Sequence, residues 1–260
     1  MVISVFNLPA DTFGSFTGQV QAGVVSQNSL VTPLAPLSPP LDPLAALRRI
    51  ETSSVVQLSS FGQVKSSLAD IQNKARALLT VSKSPNLADF KVVVQAFVQS
   101  LNSIRKTVSD LTSEKGALNG DSRPSQALSD INKAVDGPNG SAISALKDLG
   151  ISQQGNGAYS VDQKQLEKAF QDNPQNASSV IADLASRVTQ ATDKQLSVSG
   201  VIGKKVKDLS ARVSEFGNIR NTAQGYLDAT KGLQQSLTNL FTGGYTARNA
   251  IAAYTSVASF

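Results

Sequence analysis

Apolar residues recur in a strict alternation of three and four positions along two stretches of this chain. A spacing of 3.5 residues keeps a narrow stripe on one side of a helix, so that two helices can wind together with interlocking side chains. The stripes therefore predict long paired helices, which favours a structural or assembly role over catalysis. The first comprises Phe90, Val94, Phe97, Leu101, Ile104, Val108 and Leu111; the second comprises Ile202, Val206, Leu209, Val213 and Phe216, then Ile219, Ala223, Tyr226, Thr230, Leu233, Leu237 and Leu240.

Two side chains that carry much of enzyme chemistry are missing from the sequence. Its 260 residues include no His and no Cys. The chain therefore lacks the side chain that titrates near neutral pH without perturbation, and it also lacks a thiolate nucleophile. Metal sites built from His or Cys are excluded, and the acidic residues do not show the spacing of a calcium loop. We predict that the protein is not an enzyme and holds no metal and no cofactor.

The net charge of +5 raises the question of nucleic-acid binding. The densest basic cluster, Lys204, Lys205 and Lys207, alternates with stripe positions and has no aromatic residues on which bases could stack. We therefore expect a solvated helix face and no nucleic acid. The run from Gly200 to Lys205 resembles a phosphate-binding loop, but its glycines are too close together and no Ser or Thr follows Lys204. A break between two helices is the better interpretation.

Targeting signals are not evident in the sequence. The first 47 residues contain no Lys or Arg, so the charged region of a cleaved secretory signal is missing. The apolar stretch at 92–98 includes Gln95 and is far too short to span a bilayer. We expect no membrane insertion, and either a cytoplasmic protein or one that is exported without cleavage.

The N-terminal half divides into an arm and a helical hairpin. Residues 1–41 are rich in Gly, Ser, Thr and Pro, which predicts a flexible arm. Asp42 and Pro43 suit the cap and the first position of a helix that continues to about Val81, with a local change in winding near Ser53 and Ser54. A break at 82–86 then leads into the first stripe. Residues 42–115 are therefore predicted to form a helical hairpin of a stalk.

Residues 116–175 are predicted to form a small α+β head. Helical patterns at 124–135 and 142–149 precede Gly155-Asn156-Gly157, which can form the tight turn of a β-hairpin. Asp162 is expected to cap a helix through Phe170, with Gln165 as its capping-box partner. The expected fold is mainly α, with a long antiparallel coiled-coil-like helical stalk and a small α+β head that contains one short β-hairpin.

The C-terminal part is predicted to contain stalk helices and a tail. A helix that reopens at Asn173-Pro174 leads into the second stripe, so residues 176–241 are assigned to the stalk. Residues 242–260 form a weakly amphipathic tail, which is either a frayed terminus or a partner-binding segment. The aromatic and apolar residues expected to contact a partner are Tyr245, Ile251, Tyr254 and Phe260.

Several short runs of residues resemble one known family. The head run comprises Leu149-Gly150-Ile151, Gly157 to Asp162, Lys164, Leu166, Ala169-Phe170 and Asn173-Pro174. It is similar to the pattern of the flagellar filament cap protein, in the hook-associated protein 2 family. Leu118-Asn119-Gly120-Asp121-Ser122 and the helix segment 97–103 also resemble that family, and the likeness covers about residues 42–240.

The resemblance implies a role and a set of partners. It implies an exported, extracellular flagellar protein that forms a homo-oligomer at the filament tip and aids flagellin polymerisation. Flagellin or the hook–filament junction proteins would be its partners, with an export chaperone before secretion. Family members usually carry large outer domains where this chain has only residues 82–89, so the resemblance is to a short form. A cytoplasmic coiled-coil adaptor or regulator, and a tip protein of another secretion or tail apparatus, remain alternative interpretations.

Overall fold

The computed structural model describes residues 44–83 and 86–257. The predicted arm at 1–41, the predicted cap at Asp42 and Pro43, and Phe260 lie outside these residues.

Helices α1 (Ala45–Lys83) and α2 (Leu87–Thr112) form a hairpin. Asn86 caps α2, because its side-chain oxygen accepts a hydrogen bond from the Ala88 N–H at 2.9 Å. The Ser67 and Thr107 hydroxyls meet at 3.4 Å. These two residues lie at similar distances from the turn, so the helices are antiparallel as predicted.

Helix α1 continues through Ser53 and Ser54, where a local change in winding was predicted. The helix is continuous there, and its inward-facing stripe passes through Glu51 and the buried Ser54, while Ile50 and Val55 face solvent. The apolar stripe is therefore broken in the sequence because polar side chains, Glu51 and Ser54, occupy two inward positions.

Helix α1 lies between three other helices. It packs against α2, α6 (Pro174–Leu196) and α7 (Val201–Val257), and its contact with α6 is more extensive than its contact with α7. The stalk core is therefore built from four helices, α1, α2, α6 and α7. Its fully buried large side chains include Phe61, Leu68, Ile71, Leu78, Phe90, Phe97, Ile104, Ile181, Leu184 and Ile202.

The head connects α2 to α6. It contains α3 (Arg123–Asp136), a 3₁₀ turn at Pro138–Gly140, α4 (Ile143–Asp148), β1 (Ile151–Gln153), β2 (Tyr159–Val161) and α5 (Gln163–Asp172). The two strands are antiparallel, with Ile151 opposite Val161 and Gln153 opposite Tyr159. Gly157 supplies the positive φ of +81° in the connecting turn. Helix α3 packs on α6, while β2 and α5 pack on α2.

The cap of α5 is confirmed only in part. The Asp162 carboxylate accepts hydrogen bonds from the Lys164 and Gln165 N–H groups at 2.9 and 3.0 Å. The capping-box role of Gln165 is wrong, since the Asp162 N–H already donates to the Gly150 carbonyl. The Gln165 side chain instead donates hydrogen bonds to the Lys147 and Asp148 carbonyls. These carbonyls lie at the C-terminal end of α4, where they have no partner within the helix.

The predicted fold class is confirmed: the described residues are mainly α-helical, with one short antiparallel hairpin. None of the helices in the described part of the chain has the length and apolar character needed to cross a membrane.

Candidate assembly surface

The first half of α7 lies on α1. Lys205 lies over the Phe61 ring near one end of this contact, and Arg220 binds Glu51 near the other. The rising number on α7 and the falling number on α1 show that the two helices are antiparallel. The residues of α7 that face this contact are the buried Ile202 and Leu209 and the half-buried Val206, Val213, Phe216, Arg220, Ala223 and Leu227.

The second half of α7 is exposed on all sides. From residue 228 to 257, every residue whose burial is described is exposed. Large apolar side chains share this exposure, for example Leu233 at 67% and Tyr254 at 79%. We call the following set the exposed α7 stripe: Ile219, Tyr226, Leu233, Leu237, Leu240, Ile251 and Tyr254.

The exposed α7 stripe lies on a different side of α7 from the contact with α1. Successive helical residues point about 100° apart, so Ile219 faces well away from Arg220. In an antiparallel pair, the residues that precede two facing positions lie on the same side. Ile50 precedes Glu51 and Ile219 precedes Arg220, and both isoleucines are exposed. A helix docked on the stripe would thus meet Ile50 of α1 as well.

The distal part of α7 carries few charges for an exposed helix. Between residues 221 and 257 the charged residues are Asp228, Lys231 and Arg248. Exposed helices usually carry many charged residues on their solvent face. A long, exposed, nearly uncharged helix with an apolar stripe is typical of a surface that another helix covers.

An ion pair stands where α7 leaves α1. The Arg220 Nη1 atom lies 2.9 and 3.0 Å from the two Glu51 carboxylate oxygens. The Glu51 side chain is only 15% exposed, and its carboxylate contacts the Arg220 guanidinium. The pair lies near the end of the α1–α7 contact, which we call the buried seam, and fixes the register of α1 against α7.

A second junction attaches the head to the stalk. The Asn102 side-chain amide donates to the Tyr159 carbonyl, and the Tyr159 N–H donates to the Asn102 side-chain oxygen, both at 2.8 Å. The amide thus continues the hydrogen-bonding pattern of strand β2 onto helix α2. Burial and the neighbouring Asp136 carboxylate raise the pKa of Tyr159 above its usual value. The family-like segments 97–103 and 157–162 therefore meet in space.

The structure separates the predicted packing residues into two groups. Leu233 and Leu237 are exposed, and their packing role stays a prediction. Helix α7 continues beyond residue 242, with Ile251 and Tyr254 exposed on it, while the side chain of Tyr245 lies outside the described set. The second group consists of predicted packing residues whose side chains are covered. The buried ones are Phe90, Val94, Phe97, Leu101, Ile104, Val108 and Leu209, and the half-buried ones are Leu111, Val206, Val213 and Phe216.

Helix α6 was predicted from residue 174 through Leu184 and Val188, but its core face, which includes Ala177 and Ile181, was not. Ala177, Ile181, Leu184 and Val188 are buried at alternating four- and three-residue steps. This spacing is visible in the sequence, but small or polar residues, Ala and Thr, at other inward positions make the apolar stripe hard to recognise.

The comparison with protein-family models identifies the family. The model described as "Flagellar hook-associated protein 2 C-terminus" matches residues 64–243, which is more than half of the chain. The chain belongs to the flagellar hook-associated protein 2 family. Neither the comparison with curated proteins nor the comparison with solved structures gave a match.

Membership in the hook-associated protein 2 family confirms the resemblance drawn from the head and stalk segments. It assigns the protein a cap-like role in the flagellum, in a family of structural proteins. The matched residues begin in α1 and end in α7. They include the α7 side of the α1–α7 contact, the whole head and the exposed α7 stripe as far as Leu240, whereas Glu51 and Phe61 of α1 precede them.

Proposed function

We propose that the protein assembles with copies of itself at the tip of the flagellar filament and aids the addition of flagellin there. The exposed α7 stripe carries this proposal, because it is a long apolar face that the single chain leaves uncovered. Flagellin or the hook–filament junction proteins are the proposed partners of the assembled oligomer. We also propose that the protein acts outside the cell, as expected for this family, and that an export chaperone binds it before secretion.

The energetics of α7 favour a partner. Covering one large apolar side chain contributes about 1.5–3 kcal/mol of transfer free energy. Gly225 and Gly232 each cost the distal part of α7 about 1 kcal/mol relative to Ala, and both have open space around them. The distal helix is therefore weak by itself and gains stability when a second helix packs along the stripe.

The spacing of the stripe indicates how copies meet. Five of its residues, Ile219, Tyr226, Leu233, Leu237 and Leu240, form a pattern of four- and three-residue steps together with Ala223 and Thr230, which lie between them. This is the pattern of a left-handed coiled coil. Beyond Arg220, the residues that directly flank this stripe, at 222, 227, 229, 234, 236 and 241, carry no charge, and Asp228 and Lys231 lie farther round the helix. Identical copies can therefore approach along this length without like-charge repulsion.

The test places charges on the stripe and on the opposite face. The variant Leu233→Asp with Leu237→Asp puts two unpaired carboxylates into the proposed contact, where burial is costly. The control, Gln235→Asp with Asn239→Asp, has the same spacing and the same added charge on the other side of α7. We expect light scattering to show loss of the oligomer for the leucine variant only.

The same variants test the flagellar role. Cells with the leucine variant should release monomeric flagellin into the medium and lose motility, while cells with the control should swim normally. Equal oligomer mass in both variants would overturn the assignment of the stripe. Unchanged motility and unchanged flagellin retention after deletion of the gene would overturn the role at the filament tip.

A further inference from the structure

A basic cavity lies between the head and the beginning of α7, away from the exposed α7 stripe. Its volume is about 420 Å³. Arg123 and Gln126 of the first turn of α3 line it, together with the first three turns of α7 and the turn at 199–200 that joins α6 to α7. Its charged and amide side chains are Arg123, Gln126, Lys204, Lys205, Asp208 and Arg212.

The cations of this cavity outnumber their carboxylate partners. Asp121 pairs with Arg123 at 2.8 Å, and Asp208 pairs with Lys204 at 3.0 Å. Within the described part of the chain, Lys205 and Arg212 make no ion pair. The ammonium group of Lys205 lies 5.7 Å from the centre of the Phe61 ring instead. Four cations and two carboxylates leave a local charge of about +2.

The clustered cations repel one another. Burial lowers the pKa of Lys205, and the positive charges of Arg123 and Arg212 lower it further, while Asp121 and Asp208 offset part of this effect. A bound anion would relieve this repulsion. Two guanidinium groups at one cavity also suit a planar or tetrahedral oxyanion, because each can donate two parallel hydrogen bonds.

We propose that this cavity binds a phosphate dianion, held by the side chains of Arg212, Lys205 and Arg123. The charge of a dianion matches the unpaired charge of the cavity, and the volume admits free phosphate or the phosphate group of a small molecule. The site is not a phosphate-binding loop, because the spacing of Gly200 and Gly203 does not fit that motif. It arises instead where the fold brings Arg123 of α3 to α7, which the linear sequence does not show.

Titration of the full-length protein with inorganic phosphate tests the site. Ionic strength is held constant with sodium chloride, and binding is followed by calorimetry and by the amide NMR signals of residues 199–205. We expect saturable binding, and we expect Arg212→Gln to weaken it about tenfold through loss of a charge-assisted pair of hydrogen bonds. Lys207→Gln is the matched control, since Lys207 lies on α7 but does not line the cavity. It should change the affinity less than twofold.

Three outcomes would overturn the proposal. The first is that binding does not saturate up to about 10 mM phosphate. A dissociation constant above that concentration is too weak for a specific site. The second is an equal loss of affinity in Arg212→Gln and Lys207→Gln, which would show general attraction to a basic protein. The third is that the carboxylate dianion malonate binds as tightly as phosphate, which would show that the cavity is not selective for phosphate. At the same phosphate concentration, the melting temperature of the original chain should rise more than that of Arg212→Gln.

Discussion

Two glycines within α7 have the same helical conformation and opposite surroundings. A Cβ atom on Gly203 would overlap the backbone carbonyls of Leu196 and Ser197, where α6 ends against the first turn of α7. A Cβ atom on Gly217 would have no neighbour within 4 Å. Gly203 is therefore required for the tight corner between the two helices, whereas Gly217 is only tolerated.

Alanine substitutions at these two positions should change stability in opposite directions. Gly217→Ala should raise the free energy of unfolding by up to about 1 kcal/mol, because Ala is the better helix former. Gly203→Ala should lower it by about 1–3 kcal/mol, because the methyl group forces the two helix ends apart. Urea denaturation followed by circular dichroism measures both changes. A stabilising Gly203→Ala would contradict the close packing of the α6–α7 corner.

At the scale of whole elements, the stripe of α7 changes sides between residues 216 and 220. The contact with α1 passes from Val213 and Phe216 to Arg220, whereas the exposed α7 stripe begins at Ile219. The sequence contains this change as two successive three-residue steps, at 213, 216 and 219. The charge at Arg220 hides the continuation of the buried seam, because its partner Glu51 is 169 residues away along the chain.

The Glu51–Arg220 pair should respond differently to single and double substitution. Arg220→Gln leaves the largely buried Glu51 carboxylate without its partner, and we expect a loss of about 1 kcal/mol because Arg220 is itself partly exposed. Replacing both residues by Leu should be neutral or stabilising, since burying a charge pair requires desolvation. Lys204→Gln, at an exposed pair with Asp208, should have almost no effect.

Thermal unfolding at low and high salt separates these cases. High salt should reduce the difference in melting temperature between the original chain and Arg220→Gln, because ions screen the Glu51–Arg220 pair in the original chain. If Arg220→Gln proves as stable as the original chain, the pair does not support the end of the seam. A double-leucine variant less stable than Arg220→Gln would show that the ion pair itself, and not burial, holds this position.

At the scale of the molecule, the sequence predicted the hairpin and the head better than the arrangement of the stalk. Gly157, Asp162 and the break after Val81 act through local backbone chemistry, so their effects could be predicted from neighbouring residues. The choice of α6 as the main neighbour of α1 depends on how many helices share one core, which no single stripe reveals. Likewise, Asn102 has no recognisable local role, because its partner is strand β2, 57 residues away.

The division of α7 into a buried half and an exposed half predicts the effect of truncation. A chain that ends at residue 227 retains the packed half of α7 and loses thirty helical residues, 228–257. All of those with described burial are exposed, so removing them takes little apolar surface out of the core. The melting temperature should change by only a few degrees, which for a domain of this size corresponds to about 1 kcal/mol.

A second truncation provides the control for this prediction. A chain that ends at residue 208 also loses Leu209, which is 2% exposed, and the half-buried positions that follow it on α1. Calorimetry should show a much lower melting temperature for this chain, because several large side chains leave the core. Light scattering should find both truncated chains monomeric. A large destabilisation on removal of residues 228–260 alone would mean that distal α7 stabilises the single chain, and self-assembly would then not be needed to explain its apolar face.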